Sequence, residues 1–330
     1  MSYEITAVGN LIQIISQSKQ NALKKVNEEL IHMYWKVGQF LSAESTKATF
    51  GDAYIDSIAE EIQSAFPGIK GFNRRGLYRM KKFYEIYKED EFVSTLLSQI
   101  SWSNHLAIIS KAKTQEERHF YITLCVRENY SARELSRQID SGYYERYMLS
   151  QNKLLPEPIK GLKENPFLDS YVIEFLDLPS NFREADLRKG LLRNMKDFIL
   201  EVGKDFTFID EEFRVQIGGE DYKIDLLFFH RGLQCLVAFE LKIGKFKPEY
   251  ISKMDFYLEA LDRQKKKPNE NPSVGMILCA SKDDEVVEYA MSRTLSPMMV
   301  AEYQLQLPDK SILQKKLQEL IHMPLLEDEE

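Results

Sequence analysis

Two stretches of this 330-residue chain place acidic and basic side chains where they can act together. In QCLVAFELKI, residues 234–243, Glu240 and Lys242 stand two positions apart. A strand sends alternate side chains to one face, so carboxylate and ammonium are neighbours there. In DYKIDLLFFH, residues 221–230, Asp225 is embedded between Ile224 and Leu226, in an apolar run where a lone carboxylate is costly to bury. Two carboxylates and an ammonium at the edge of a sheet match what phosphodiester hydrolysis requires. Asp225 and Glu240 can offer hard oxygen ligands to Mg2+, with Mn2+ as an alternative and the Leu241 carbonyl as a further ligand, leaving coordination positions for water and a phosphate oxygen. Such an ion withdraws charge from the phosphate and acidifies its water, while Lys242 positions or deprotonates that water and offsets the charge of the transition state. Glu-x-Lys by itself is a common exposed pair on strands. Here it closes an apolar run, follows a strand with an embedded Asp and precedes a helix beginning at Pro248.

Whether the acids meet depends on the turn around Arg231-Gly232. A loop of two residues sets Asp225 opposite Ala238, and a loop of four sets it opposite Glu240; either register puts its carboxylate on the Glu240 face. An odd loop turns it away unless a bulge corrects it.

The elements that hold these strands follow from periodicity. TFIDEEFRVQIG, DYKIDLLFFH and QCLVAFELKI read as a three-strand meander, with turns at Gly218-Gly219 and Arg231-Gly232. One helix over about 184–202 precedes them, and another runs from Pro248 to about Asp262. SVGMILCAS is short enough for a buried strand; a helix from near Asp283, the strand VAEYQLQL and a last helix complete the order. That order implies an α/β sandwich around a central mixed sheet. The first half is helical throughout. Ile55, Ile58, Ala59 and Ile62 form one stripe; after a break at Pro67, Gly68 and Gly71, Asn73 caps a helix whose core face is Leu77, Met80, Tyr84 and Tyr87. Ser131 and Glu134 form a capping box for a further helix. QNKLLPEPIKGLKENPF, with Pro156, Pro158, Gly161 and Pro166, reads as a joint, giving domains 1–155 and 156–330, and the final EDEE as a frayed acidic tail.

Composition narrows the classes. Charged residues at 29% and hydrophobic residues at 44% suit a folded globular protein. No run approaches the roughly 20 apolar residues of a membrane span, and MSYEITAVGNLIQIISQSK has no basic leader. Cys125, Cys235 and Cys279, odd in number and widely spaced, argue against disulfides and thiolate zinc sites and for a reducing cytoplasm. The five histidines lack metal-ligand spacing, and no nucleotide P-loop or nucleophile elbow is present. The net charge of −7 is uneven: the first 150 residues hold 19 basic and 18 acidic groups, the remainder 25 and 33. A net-acidic domain still binds nucleic acid through a local basic stripe and bound cations.

The strand motif resembles the PD-(D/E)xK nuclease superfamily, with Asp225 as the first acid and Glu240-Leu241-Lys242 as the (D/E)xK element. More closely, GEDYKIDLLFFHRGLQCLVAFELKIGKFKPEYISKMDFYLEALD is similar to the bacterial YhcG-type family, as are FPGIKGFNRRGLYRMKKFY, YSARELSRQI and PSVGMILCASKDDEVVEYA. The resemblance implies an N-terminal all-α domain joined to a restriction-endonuclease-like α/β domain, and a metal-dependent deoxyribonuclease acting in defence, recombination or repair. Two positions depart from it. Ile224 stands where the superfamily has Pro, and a glutamate expected in the first helix of the domain aligns with Arg188; Asp186 or Glu184 are the substitutes at hand. Gln216, Lys253 and Tyr257 are secondary candidates, Tyr257 being read as core packing.

In the helical half, Arg75, Arg79 and Lys82 share one face of the second of two helices, as in a helix-turn-helix-like DNA reader, although the gap from Phe66 to Asn73 is long for that motif. The leading expectation is a cytoplasmic Mg2+-dependent nuclease acting on DNA. Its alternatives are a catalytically weak or inactive DNA-binding scaffold with the same fold, and a subunit of a homodimer or other complex joined through the helical half. RNA as substrate, and endonuclease against exonuclease action, stay open.

Overall fold

The protein is described by a computed structural model that places residues 2–45, 52–151 and 165–322. The chain divides into two compact units, Met1–Ile139 and Asp140–Glu330. The joint expected near residue 155 and the EDEE end lie outside the described residues.

The first unit is helical. A long helix α1 (Ser2–Glu44) is followed by α2 (Asp52–Ala65), α3 (Arg74–Tyr87), α4 (Glu91–Ser94), α5 (Trp102–Lys111), α6 (Gln115–Glu128) and most of α7 (Ala132–Asp140). Val8, Leu11, Ile12 and Ile15 of α1 are exposed, whereas Ile31 and Leu41 are buried, the latter in a core shared with Ile55, Ala59, Leu77 and Met80. Asn73 caps α3, its side chain accepting from the Gly76 amide at 2.9 Å. Phe83, rather than the expected Tyr84, is fully buried on α3, against Trp35, Trp102 and His105. Leu77, Met80 and Tyr87 are buried as the stripe read in the sequence has them, with Phe83 added and Tyr84 half-buried. Ser131 and Glu134 close their box reciprocally at 2.8 and 3.3 Å.

The second unit begins with the end of α7 and α8 (Tyr143–Gln151) and is built on a six-stranded mixed sheet. Its strands are β1 (Ser170–Val172), β2 (Phe206–Ile217), β3 (Glu220–His230), β4 (Cys235–Lys245), β5 (Val274–Ser281) and β6 (Met298–Gln304), in the order β1-β6-β5-β4-β3-β2. The meander β2-β3-β4 is antiparallel, and β4, β5, β6 and β1 are parallel. The helices are α9 (Glu184–Arg193), α10 (Met195–Val202), α11 (Glu249–Gln264), α12 (Asp284–Met291) and α13 (Lys310–His322). This is the α/β sandwich around a central mixed sheet that the order of elements implies.

The helix expected over 184–202 is two helices. Asn194 leaves helical geometry and closes the first of them, its backbone N–H and its side-chain amide both donating to the Gly190 carbonyl, at 3.1 and 3.0 Å. Strand β1 went unread because three residues paired in parallel to a distant strand carry no periodicity. The sheet is buried on both faces. Ala238, Ile277 and Cys279 pack under Ile251, Met254 and Leu258 of α11, while Phe228 and Phe239 meet Phe198 of α10 on the other side.

Candidate active site

The loop between β3 and β4 holds the four residues 231–234: His230 pairs with Cys235, and the ladder runs to Leu226 opposite Phe239. One further step in this register sets Asp225 opposite Glu240 on the face covered by α11. There the ladder gives way, and the Asp225 side chain takes its place, with Oδ2 accepting from the Leu241 amide at 2.8 Å. On the other flank the β2–β3 register sets Glu212 opposite Asp225, between the pairs Glu211–Leu226 and Phe213–Ile224. Glu212 has φ of 44°, a left-handed conformation that is uncommon for a side chain of this size. Backbone strain of this kind gathers at functional sites.

Glu240 is 1% exposed, and its Oε2 is buried with no hydrogen-bond partner. The other oxygen is held twice: Lys242 Nζ lies 2.8 Å from Oε1, and Lys253 Nζ contacts the same atom. A buried carboxylate needs such partners, because removing it from water costs several kcal/mol. Burial pushes the Asp225 pKa up, and the charge of Glu240 adds to this, against the Leu241 amide and the two ammonium groups. For Lys242 and Lys253 burial acts to lower the pKa, but hydrogen bonding and charge from Glu240 outweigh it, and both end raised. Each ammonium also stands over an aromatic face, Lys242 at 5.4 Å from Tyr250 and Lys253 at 5.3 Å from Tyr257.

Asp225, Glu240, Lys242 and Lys253 thus come together. Tyr257 is buried, as expected of core packing, and its hydroxyl donates to the Lys223 carbonyl at 2.6 Å, tying α11 to β3. Glu184 reaches the rim, with Oε2 3.4 Å from Lys242 Nζ. Asp186 is turned to the start of its own helix, where it accepts from the Arg183 amide at 2.9 Å. Gln216 is exposed beside Asp221, four residues along β2 from Glu212, and it does not join the cluster. Arg75, Arg79 and Lys82 are exposed on α3 in the first unit. Arg188, read in the sequence only as a missing glutamate, stands against Asp225 with Nη1 3.5 Å from Oδ1. Its spacing of four from Glu184 was the available signal, since both then face the strands from one side of α9.

Two carboxylates, one carrying an open buried oxygen and each raising the other's electrostatic cost, fit a divalent cation. Among the described residues, no group of three His, Cys, Asp or Glu side chains is arranged to hold a metal, so the protein ligands at hand are the two acids. In a strand the amide and carbonyl of one residue point to the same neighbour, which directs the Leu241 carbonyl to the Asp225 side. A cleft of about 510 Å³, with Phe182, Ile243, Tyr303 and Leu305 among its walls, is lined by none of Asp225, Glu240, Lys242 and Lys253.

Both halves of the chain are similar to known protein families. Residues 164–319 match the YhcG PDDEXK nuclease domain, and residues 10–146 match the DUF1016 N-terminal domain. The chain is 28% identical to "Putative nuclease YhcG" of Escherichia coli (strain K12), across 93% of this chain and 92% of that protein. Among solved structures it is similar to a repair endonuclease from Pyrococcus abyssi (16% identity, TM-score 0.27, 40% of this chain and 50% of that one). It is also similar to EndoMS in its apo form (15%, TM-score 0.26, 40% and 49%). The match spans about half the length of those structures.

Proposed function

We propose, from the premise that this chain belongs to the YhcG-type family and carries its PDDEXK nuclease domain, that it hydrolyses phosphodiester bonds in DNA with a divalent metal ion held by Asp225 and Glu240. One observation carries the reading: Glu240 is buried with one oxygen unpartnered, opposite a second carboxylate and beside two ammonium groups.

Asp225 and Glu240, through its unpartnered Oε2, would hold the ion, with the Leu241 carbonyl as a third ligand, and Asp225 is oriented by the Leu241 amide bonded to its Oδ2. The bound ion, Mg2+ or Mn2+, supplies a more acidic water and draws charge from the phosphate. Lys242 orients that water and offsets the negative charge that grows as oxygen attacks phosphorus and the ester oxygen leaves. Lys253, half exposed on α11, holds Glu240 from the opposite side and presents positive charge to the backbone of the substrate. The exposed trio Arg75, Arg79 and Lys82 contacts phosphates, and substituting all three flattens the salt dependence of DNA binding.

The test is cleavage of linear, circular, single-stranded and branched DNA by wild type, Asp225→Ala and Lys242→Ala, with and without Mg2+. Metal-dependent cutting that both variants lose is the expected result. DNA binding with no cutting under any condition sinks the enzyme reading in favour of a scaffold that keeps the fold.

A further inference from the structure

We propose that Arg188 is a tethered cation standing where a second metal ion would lie, so that the site takes one divalent ion. This rests on the metal reading above and goes beyond it by assigning a residue and a stoichiometry.

The strand order supplies the first argument. Asp225 on β3 lies between Glu240 on β4 and Glu212 on β2. An ion shared by Asp225 and Glu240 occupies the β4 side. A second ion using Asp225 must then sit on the β2 side, where Glu211 and Glu212 are the carboxylates available. Arg188 already stands there: its guanidinium is 3.5 Å from Asp225, 3.4 Å from Glu212 and 3.9 Å from Glu211. Three carboxylates surround a single positive charge.

The second argument is how loosely that charge is held. An arginine that locks a structure donates bidentate bonds of about 2.7–2.9 Å to its carboxylate. All three Arg188 contacts are longer than 3.3 Å, its Nε is buried with no hydrogen-bond partner, and the side chain is 17% exposed. The group is retained by the field of its neighbours more than by directed bonds, which is how a counter-ion is retained. Glu212 keeps its left-handed backbone while its carboxylate reaches both Arg188 and Lys223. Lys223 adds a further fixed charge on that flank, 3.3 Å from Glu212.

The experiment counts Mn2+ on the full chain by titration calorimetry and electron paramagnetic resonance, scoring only ions lost in Asp225→Asn. Wild type is expected to bind one. Arg188→Met, which removes the charge and adds no oxygen ligand, is expected to bind one ion about tenfold more tightly, because a cation beside the ligand has been withdrawn. Arg188→Glu is expected to bind two. Melting curves in a chelator verify that each variant is folded, and the readout requires no turnover. Two ions in wild type overturn the proposal, as does Arg188→Met affinity that is unchanged or weaker, the result a purely orienting arginine produces. If no variant binds an Asp225-dependent ion, the metal reading itself falls, and this inference with it.

Discussion

The second unit contains two arginine–carboxylate clusters built on opposite terms. Arg146 and Glu201 are 1% and 0% exposed and fully engaged. The Arg146 guanidinium donates to Glu201 Oε1 at 2.6 Å, the Ser170 carbonyl at 2.8 Å, the Ser141 carbonyl at 3.1 Å and Ser141 Oγ at 2.9 Å, and Glu201 also accepts from the Val172 amide at 2.7 Å. Arg188 with Asp225 and Glu240 is looser, with long ion pairs and orphaned polar atoms. A buried polar group left without a partner costs about 1–3 kcal/mol. The Arg146 cluster avoids that cost and secures α8 to α10 and β1. The Asp225 cluster carries it, and the groups left open are those a cation and a phosphate would satisfy.

The comparison can be broken at several points. The largest expected effect is on turnover: Asp225→Ala and Lys242→Ala each lower DNA cleavage by about 10²–10⁴-fold with thermal melting within a few degrees of wild type. A large loss of folding stability accompanying the loss of activity would mean that this cluster, too, is structural. Next is Arg146→Ala, which strands a buried carboxylate and should lower the free energy of unfolding by about 3–5 kcal/mol in urea melts. Arg188→Ala, with its long contacts, is expected to change stability by no more than about 1 kcal/mol.

The contrast extends to the first unit. His105 is fully buried; its Nε2 lies 2.8 Å from the Leu97 carbonyl, but Nδ1 has no partner, and burial pushes its pKa down to about 4. The neutral ring is favoured in the fold, so its contribution is fully present above the unfolded value of about 6.5 and is lost as pH falls from there towards about 4. Urea melts between pH 7 and 4 should show a decline of up to about 3 kcal/mol from this group, absent in a His105→Gln variant that still folds. The smallest effect concerns Arg75, Arg79 and Lys82, exposed and outside either kind of cluster. Replacing all three with Ala should leave melting unchanged and reduce the slope of log affinity for DNA against log salt by about 3. An unchanged slope removes that face from the DNA-binding surface.

The acids of the looser cluster were legible in the sequence; neither arginine's partners were, and that has a physical cause. Asp225 and Glu240 were readable because a hairpin is local, and parity needed only the length of one loop, which proved to be four residues. The caps at Asn73 and Ser131 were readable because they act within three residues. The break at Asn194 was hidden, because the apolar stripe continues across it while only the Asn194 backbone leaves helical geometry. Arg188 was seen as the absence of an acid; its meeting with Asp225 and Glu212 joins a helix to two strands and leaves no periodic trace.

The four-residue turn between β3 and β4 also bears on how the protein is made. A hairpin closes in about 1–10 μs, whereas the parallel pairing of β4 with β5 must wait for α11 to be synthesised and to cross over. A nascent chain that has cleared the ribosome as far as Lys242 can therefore set its two acids side by side before Lys253 has emerged to neutralise one of them. During that interval of translation, a divalent ion from the surrounding solution is a ready partner for the pair.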